Sequence, residues 1–191
     1  MTIADQTATQ NRFVEQFGPP KDTTAAKIKP YMTEQVQEFI GYSPFAVMAT
    51  CDAEGRCDAS PKGGTPGFVK IVDQNHLLFP DLSGNNLFQS YQNVDSNPQI
   101  GLIFFIPGVN DTVRVNGKVT IVGKEELDRH RVELSAYDHD EKTRNIQAML
   151  IEVTEAYTHC PRPSKFSRVW NVETIAANQA KRPISEKIVG G

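Results

Sequence analysis

A mainly β, α+β domain of six to seven antiparallel strands, rolled into a small barrel with helices at its ends, is the fold class this sequence predicts. Three observations carry that prediction. Short apolar or alternating runs are separated by compact turns such as Asp52-Ala53-Glu54-Gly55 and Asp73-Gln74-Asn75, a hairpin pattern. The run IGLIFFI within 99–106 is the most apolar of the chain and reads as a central strand buried on both faces. Only two or three helical patterns are inserted among the strands, which suggests helices plugging the ends of a barrel.

Residues 1–30 are polar and interrupted by Gly18-Pro19-Pro20, with room for one helical turn around Phe13, Val14 and Phe17, and read as an arm. From 31 to 42 the apolar positions Tyr31, Met32, Val36, Phe39 and Ile40 recur at helical spacing, with Thr33 or Pro30 to open the helix. Ser43-Pro44 breaks the pattern. A strand over 45–50 and a partner around 56–60 follow, then a basic turn, SPKGG, and a second hairpin over 67–72 and 76–79. A helix is expected over 85–94, stopped by Asn97-Pro98. After the central run, 112–122 alternates cleanly, with Val113, Val115, Val119 and Ile121 on one side and Arg114, Asn116, Lys118 and Thr120 on the other. Residues 124–134 read as a charged, solvated helix and 148–158 as a long last strand. A short basic segment, 159–170, ends in the only tryptophan. Beyond it no periodicity is visible, which divides the chain into an arm (1–30), one barrel domain (31–171) and a tail (172–191).

Composition narrows the function classes. The chain has 191 residues, 39% of them hydrophobic, and a mean hydropathy of -0.41, values of a globular domain with a sizeable core. Its net charge of -3 argues against a general nucleic-acid or anionic-membrane binder, which would carry a basic excess. The N-terminal MTIADQTATQ lacks the charged-then-apolar pattern of a signal peptide, and no apolar run approaches the roughly 18 residues of a spanning helix, so a cytoplasmic location is expected. Cys51, Cys57 and Cys160 form no C-x-x-C pair and are expected to be buried free thiols. The four histidines are scattered, and no metal site is signalled.

The stretch 57–86 carries the chemistry. Ser60 and Lys62 put a hydroxyl and a fixed positive charge on a turn where backbone N–H groups outside any ladder can face an anion. Ser83-Gly84-Asn85-Asn86 follows the next strand and opens a helical pattern, and a helix N-terminus with donor side chains also accepts an anion. Together they suit a phosphorylated planar ligand.

The run from 39 to 122, with SP(K/R)G, PGFV, PD-x-x-GNN, PGV and RVNG in order and with SRVW at 167–170, resembles the pyridoxamine 5'-phosphate oxidase-like flavoproteins, and within them an uncharacterised bacterial branch. The resemblance covers roughly 35–171. It implies a split β-barrel and FMN held at the interface of a homodimer, with both subunits contributing to each site. By that resemblance Asp58, Ala59, Ser60, Pro61 and Lys62 line the flavin, and Phe79 and Pro80 belong to the strand that passes beside its ring. Asn85 and Asn86 fall where the oxidases themselves carry an Arg-Lys pair on the phosphate. Neutral amides supply no charge, so Lys62, Arg162, Lys165 or Arg168 would have to neutralise it, with Ser167 and Trp170 in the same segment. Lys62 could serve either end of the ligand. The resemblance implies an FMN-dependent oxidoreductase working between a nicotinamide donor or small organic substrate and an acceptor, or alternatively a flavin-binding carrier, sensor or scaffold without turnover.

Overall fold

The computed structural model describes residues 12–83, 88–139, 141 and 143–184. Its centre is one antiparallel sheet of seven strands: β1 (Phe45–Cys51), β2 (Cys57–Gly63), β3 (Lys70–Asp73), β4 (His76–Leu82), β5 (Gln99–Phe105), β6 (Thr112–Val122) and β7 (Asn145–His159). Their order is β2-β1-β5-β6-β7-β4-β3. The two end strands, β2 and β3, do not pair with each other, so the sheet is not closed. This is the architecture of a split barrel, with the flanking helices that the sequence predicts.

Seven helices accompany the sheet among the described residues: α1 (Arg12–Phe17), α2 (Asp22–Ala25), α3 (Glu34–Tyr42), α4 (Gln89–Ser96), α5 (Lys124–Arg129), α6 (Arg162–Ser167) and α7 (Val172–Ala180). In α3, Thr33 caps the N-terminus by accepting from the Val36 N–H at 3.4 Å, and the helical spacing buries Val36 and Ile40, with Met32 buried just before the cap. At its end the fully buried Ser43 hydroxyl donates to the Phe105 carbonyl at 2.6 Å, tying the start of β1 to the end of β5. Between the helices and the sheet lies the core, in which Met48, Leu77, Leu102, Phe104, Val115 and Ile151 are at most 2% exposed.

Several expectations are corrected. The apolar run of β5 is not buried on both faces: Ile100, Leu102 and Phe104 are buried on one, while Gly101, Ile103 and Phe105 on the other are half-buried. Ser60, Pro61 and Lys62 do not form a turn but continue β2, where Lys62 pairs with Ala46. A proline is tolerated there because β2 is an edge strand and loses no ladder donor on its open side. The helix expected from 85 begins at Gln89, since Phe88 sits at φ +50°, a left-handed conformation that a helix excludes. The charged helix ends at Arg129 rather than near 134. Arg131 turns left-handed, and the Val132 N–H reaches back to the Leu127 carbonyl at 2.9 Å, bringing two apolar side chains into contact across the helix end. The cysteines, finally, are not buried: Cys51 is half-buried, and Cys57 and Cys160 are exposed. Beyond 171 the chain also carries a helix. Asn171 caps α7 by accepting from Thr174 N at 2.9 Å, although no residue of α7 is buried.

Phe104, on the central strand, supplies a test of the core. Its truncation to alanine should lower the free energy of unfolding by about 3–5 kcal/mol, whereas Phe17→Ala in the arm, 76% exposed, should stay within about 0.5 kcal/mol in the same denaturant titration.

Candidate functional site

The split in the sheet makes a cleft. Residues of β2 (Pro61, Lys62, Gly63) form one side of it and residues of β4 (Phe79, Pro80, Asp81, Leu82) the other, around a volume of about 260 Å³. Period-2 alternation along β2 sends Asp58, Ser60 and Lys62 to the half-buried side and leaves Ala59, Pro61 and Gly63 exposed. Lys62 therefore leaves the sheet on the same face as the buried Ala46 and Met48 of β1, at the open edge. Phe79 is 4% exposed and packs edge-on against Phe68, with ring centroids 5.4 Å apart. These two rings give the cleft an apolar wall.

The rest of the lining comes from far along the chain. Gly64 has no room for a side chain, because a Cβ there would meet the Ser135 carbonyl and Phe68. That close approach lets the Thr65 N–H bond the Ser135 carbonyl at 2.9 Å and brings Ser135 to the rim. Asn145, at the start of β7, donates its amide N–H to the Val132 carbonyl at 3.3 Å. Its Oδ1 is buried and has no hydrogen-bond partner among the described residues. An unsatisfied acceptor in a cleft wall is a place for a ligand donor.

Asp81 is the only carboxylate among the described lining residues. Burial pushes its carboxyl above the usual range, while a 3.5 Å hydrogen bond from Gln147 Nε2 and the charge of Lys62 pull the other way. Tyr91 of α4 feels the same neighbourhood: burial first, and then the Asp81 charge, raise its phenol far above an ordinary tyrosine. The helix α4 itself packs on β1, β2 and β6.

Of the residues the sequence singles out, Pro61, Lys62, Phe79 and Pro80 meet in this cleft. Asp58, Ala59 and Ser60 lie further back along β2. Asn85 and Asn86 fall outside the described residues. Lys165, Arg168 and Trp170 line a second depression of about 300 Å³, together with Gly108 and Asn110 of the β5–β6 turn. There the buried Trp170 Nε1 likewise lacks a partner among the described residues. Arg162 and Ser167 engage their own helix: the guanidinium lies 5.0 Å from the Phe166 ring and the hydroxyl donates to the Ser164 carbonyl at 3.2 Å. Asp81, Phe68, Ser135 and Asn145 are missing from the sequence reading. Only Asp81 and Phe68 sit inside motifs that could have suggested them.

A family profile described as pyridoxamine 5'-phosphate oxidase matches residues 32–160. No curated protein matches the sequence. Among solved structures, a candidate pyridoxamine 5'-phosphate oxidase of Lactobacillus delbrueckii aligns with a TM-score of 0.50 at 18% identity, over 68% of this chain and 95% of its own, and shares the fold. A histidine-to-alanine variant of HupZ from Group A Streptococcus aligns with a TM-score of 0.47 at 17% identity, over 67% of this chain and 99% of its own. A pyridoxamine 5'-phosphate oxidase-related, FMN-binding protein of Nostoc punctiforme aligns with a TM-score of 0.43 at 14% identity, over 61% and 74%.

The buried carboxyl yields a pH prediction. With its pKa raised on folding, the native state holds the Asp81 proton more tightly than the unfolded chain, so stability falls as pH rises from the unfolded value through the folded one. Asp81→Asn removes that cost. Its melting temperature in ligand-free protein should exceed that of the wild type at pH 7, and the advantage should vanish below about pH 4, where the carboxyl is neutral in both states.

Proposed function

The chain belongs to the pyridoxamine 5'-phosphate oxidase family, and on that premise we propose that it binds FMN in the cleft between β2 and β4 and acts as an oxidoreductase. The reaction passes a hydride or electrons between a nicotinamide donor or small organic substrate and an acceptor. The observation that carries this reading is the cleft itself, where a cation and a buried carbonyl oxygen without a partner among the described residues flank an aromatic wall. A flavin fits that donor and acceptor set. Its ring is flat and apolar, its imide N–H needs an acceptor such as Asn145 Oδ1, and its phosphate and reduced ring are anionic.

When bound, FMN supplies the hydride and electron chemistry. The chain's residues hold and shield it. Phe68 and Phe79 exclude water from the wall, and desolvation strengthens every charge interaction inside. Lys62 offers a charge-assisted hydrogen bond to the phosphate or to negative charge on the ring. Asp81 beside it is raised by burial and drawn back by the hydrogen bond from Gln147 and the Lys62 charge.

A homodimer with shared sites belongs to the same proposal. One lysine does not neutralise a phosphate dianion, and about 260 Å³ falls below the roughly 300–1,000 Å³ of sites that enclose a drug-sized ligand. The strand pairings place Gly63, Phe45 and Phe105 in one row, so the end of β2 and the β5–β6 turn beside Lys165 and Arg168 lie along one rim of the sheet. Tyr42, 66% exposed, and Phe166, 74% exposed, are apolar surface at the same rim, where β1 begins and β7 ends. A two-fold axis there would bring the basic depression of one subunit to the cleft of the other. Sedimentation should give a dimer, and a monomer that holds FMN tightly would contradict shared sites.

The purified protein should be yellow or become so with FMN, and NADH or NADPH followed by candidate acceptors should cycle its spectrum. A colourless protein that refuses added FMN overturns the proposal. Lys62→Ala should weaken FMN binding roughly ten- to a hundredfold, the loss of a charge-assisted bond of about 1.5–3 kcal/mol. Lys124→Ala, on the solvent side of α5 and paired to Asp128 at 2.6 Å, is the control and should leave the titration unchanged.

A further inference from the structure

We propose that Cys51 and Cys57 are a redox-active pair that closes reversibly into a cross-strand disulfide at the tip of the β1–β2 hairpin. The two residues are direct partners in the ladder, Cys51↔Cys57. One step toward the tip, the Asp52 N–H donates to the Arg56 carbonyl at 3.1 Å. Antiparallel ladders alternate between hydrogen-bonded and non-hydrogen-bonded pairs, so this bond makes 51–57 a non-hydrogen-bonded pair, in which Cα atoms approach to about 4.5 Å and side chains leave the same face side by side. Disulfides span Cα separations of roughly 4.4–6.8 Å, so the backbone admits the bond at the short end of that range without moving strands. Such cross-links are the easily reduced ones.

In the thiol form each sulfur has a hydrogen-bond partner of its own. Asn97 Nδ2 donates to Cys51 Sγ at 3.1 Å, and the Cys57 thiol donates to the Gly55 carbonyl at 3.6 Å. A change of χ1 rotamer frees each of them. Cys57 is exposed and reacts first: its thiolate attacks a small-molecule disulfide, displacing one thiol, and Cys51 then attacks the mixed disulfide and displaces the second. Two protein thiols give up two protons and two electrons, and the small disulfide leaves as two thiols. The closed bond pins β2, an edge strand held from one side only, and releases the Asn97 amide at the corner between α4 and β5.

Trypsin offers a direct test, because it cuts after Arg56, between the two cysteines. Reduced full-length protein treated with oxidised glutathione, then alkylated and digested without reductant, should yield peptides 28–56 and 57–62 joined as one species, and the free-thiol count should fall from three to one. Dithiothreitol should restore both peptides. Cys160→Ser should leave the linked species in place and Cys57→Ser should abolish it. Separate alkylation of both cysteines after oxidation, a persistent glutathione adduct on Cys57, or linkage between two chains would overturn the proposal.

Discussion

The pairing of β6 with β7 is the constraint on which the remaining structure depends. Eleven residue pairs, from Thr112↔His159 to Val122↔Ala148, join the β2-β1-β5-β6 half of the sheet to the β7-β4-β3 half. No other described strand pairing crosses between them. The ladder is interrupted once, at Asn116/Gly117, where an extra residue on β7 bends the sheet. Gly117 is required at this point, since a Cβ would meet the Glu152 carbonyl. Beside it Asn116 Nδ2 donates to the buried Glu155 carboxylate at 3.0 Å. The Asn-Gly of the RVNG motif therefore has a mechanical meaning: the amide satisfies a buried carboxylate and the glycine makes room for the bend.

The cleft follows from where that bend leaves the open sheet. A closed barrel would fill its interior with side chains. This sheet instead stops short, and the gap between β2 and β4 exposes groups that a ladder or a core would otherwise conceal: Lys62 at an edge, the rim of two aromatic rings, and a carboxyl half out of water. The same gap explains the electrostatics. Asp81 is raised because burial outweighs the pull of Gln147 and Lys62, and burial together with the Asp81 charge raises Tyr91 on α4. Lys62, Asp81 and Tyr91 form one electrostatic unit, although they belong to three different elements.

Much of the fold is legible in the sequence because it rests on local periodicity. The alternation at 112–122, the apolar run at 99–106 and the turns around Gly55 and Asn75 each predict an element that the structure contains. The failures have local causes of another kind. Pro61 and the following glycines imitate a turn, and only the position of β2 at the sheet edge lets a proline continue the strand. Phe88 and Arg131 adopt left-handed backbone with no glycine to announce it, which moves one helix start and one helix end. The helix α7 buries nothing, so no apolar stripe betrays it. In the site, Lys62, Phe79 and Pro80 are readable because they sit in short motifs. Ser135 and Asn145 are not, since their places depend on Gly64 accepting a close carbonyl and on β7 beginning beside Leu82.

The anion-binding logic changes once SPKG is a strand and not a turn. A turn would present several backbone N–H groups to a phosphate. Strand β2 has committed its inward N–H groups to β1, and Pro61 has none to offer at the open edge. In the proposed FMN site the side chain of Lys62 would then carry the charge alone on this side of the cleft, and a lysine is a flexible point charge without the fixed fork of an arginine. Such a group stabilises an anion without fixing its orientation. Orientation has to come from the rigid parts of the lining, the Phe68–Phe79 wall and the Asn145 carbonyl anchored through Val132. The proposed site is thus divided by physical origin: position would be set by packed and hydrogen-bonded groups contributed from distant segments, and charge by one lysine, tempered by the carboxyl across from it.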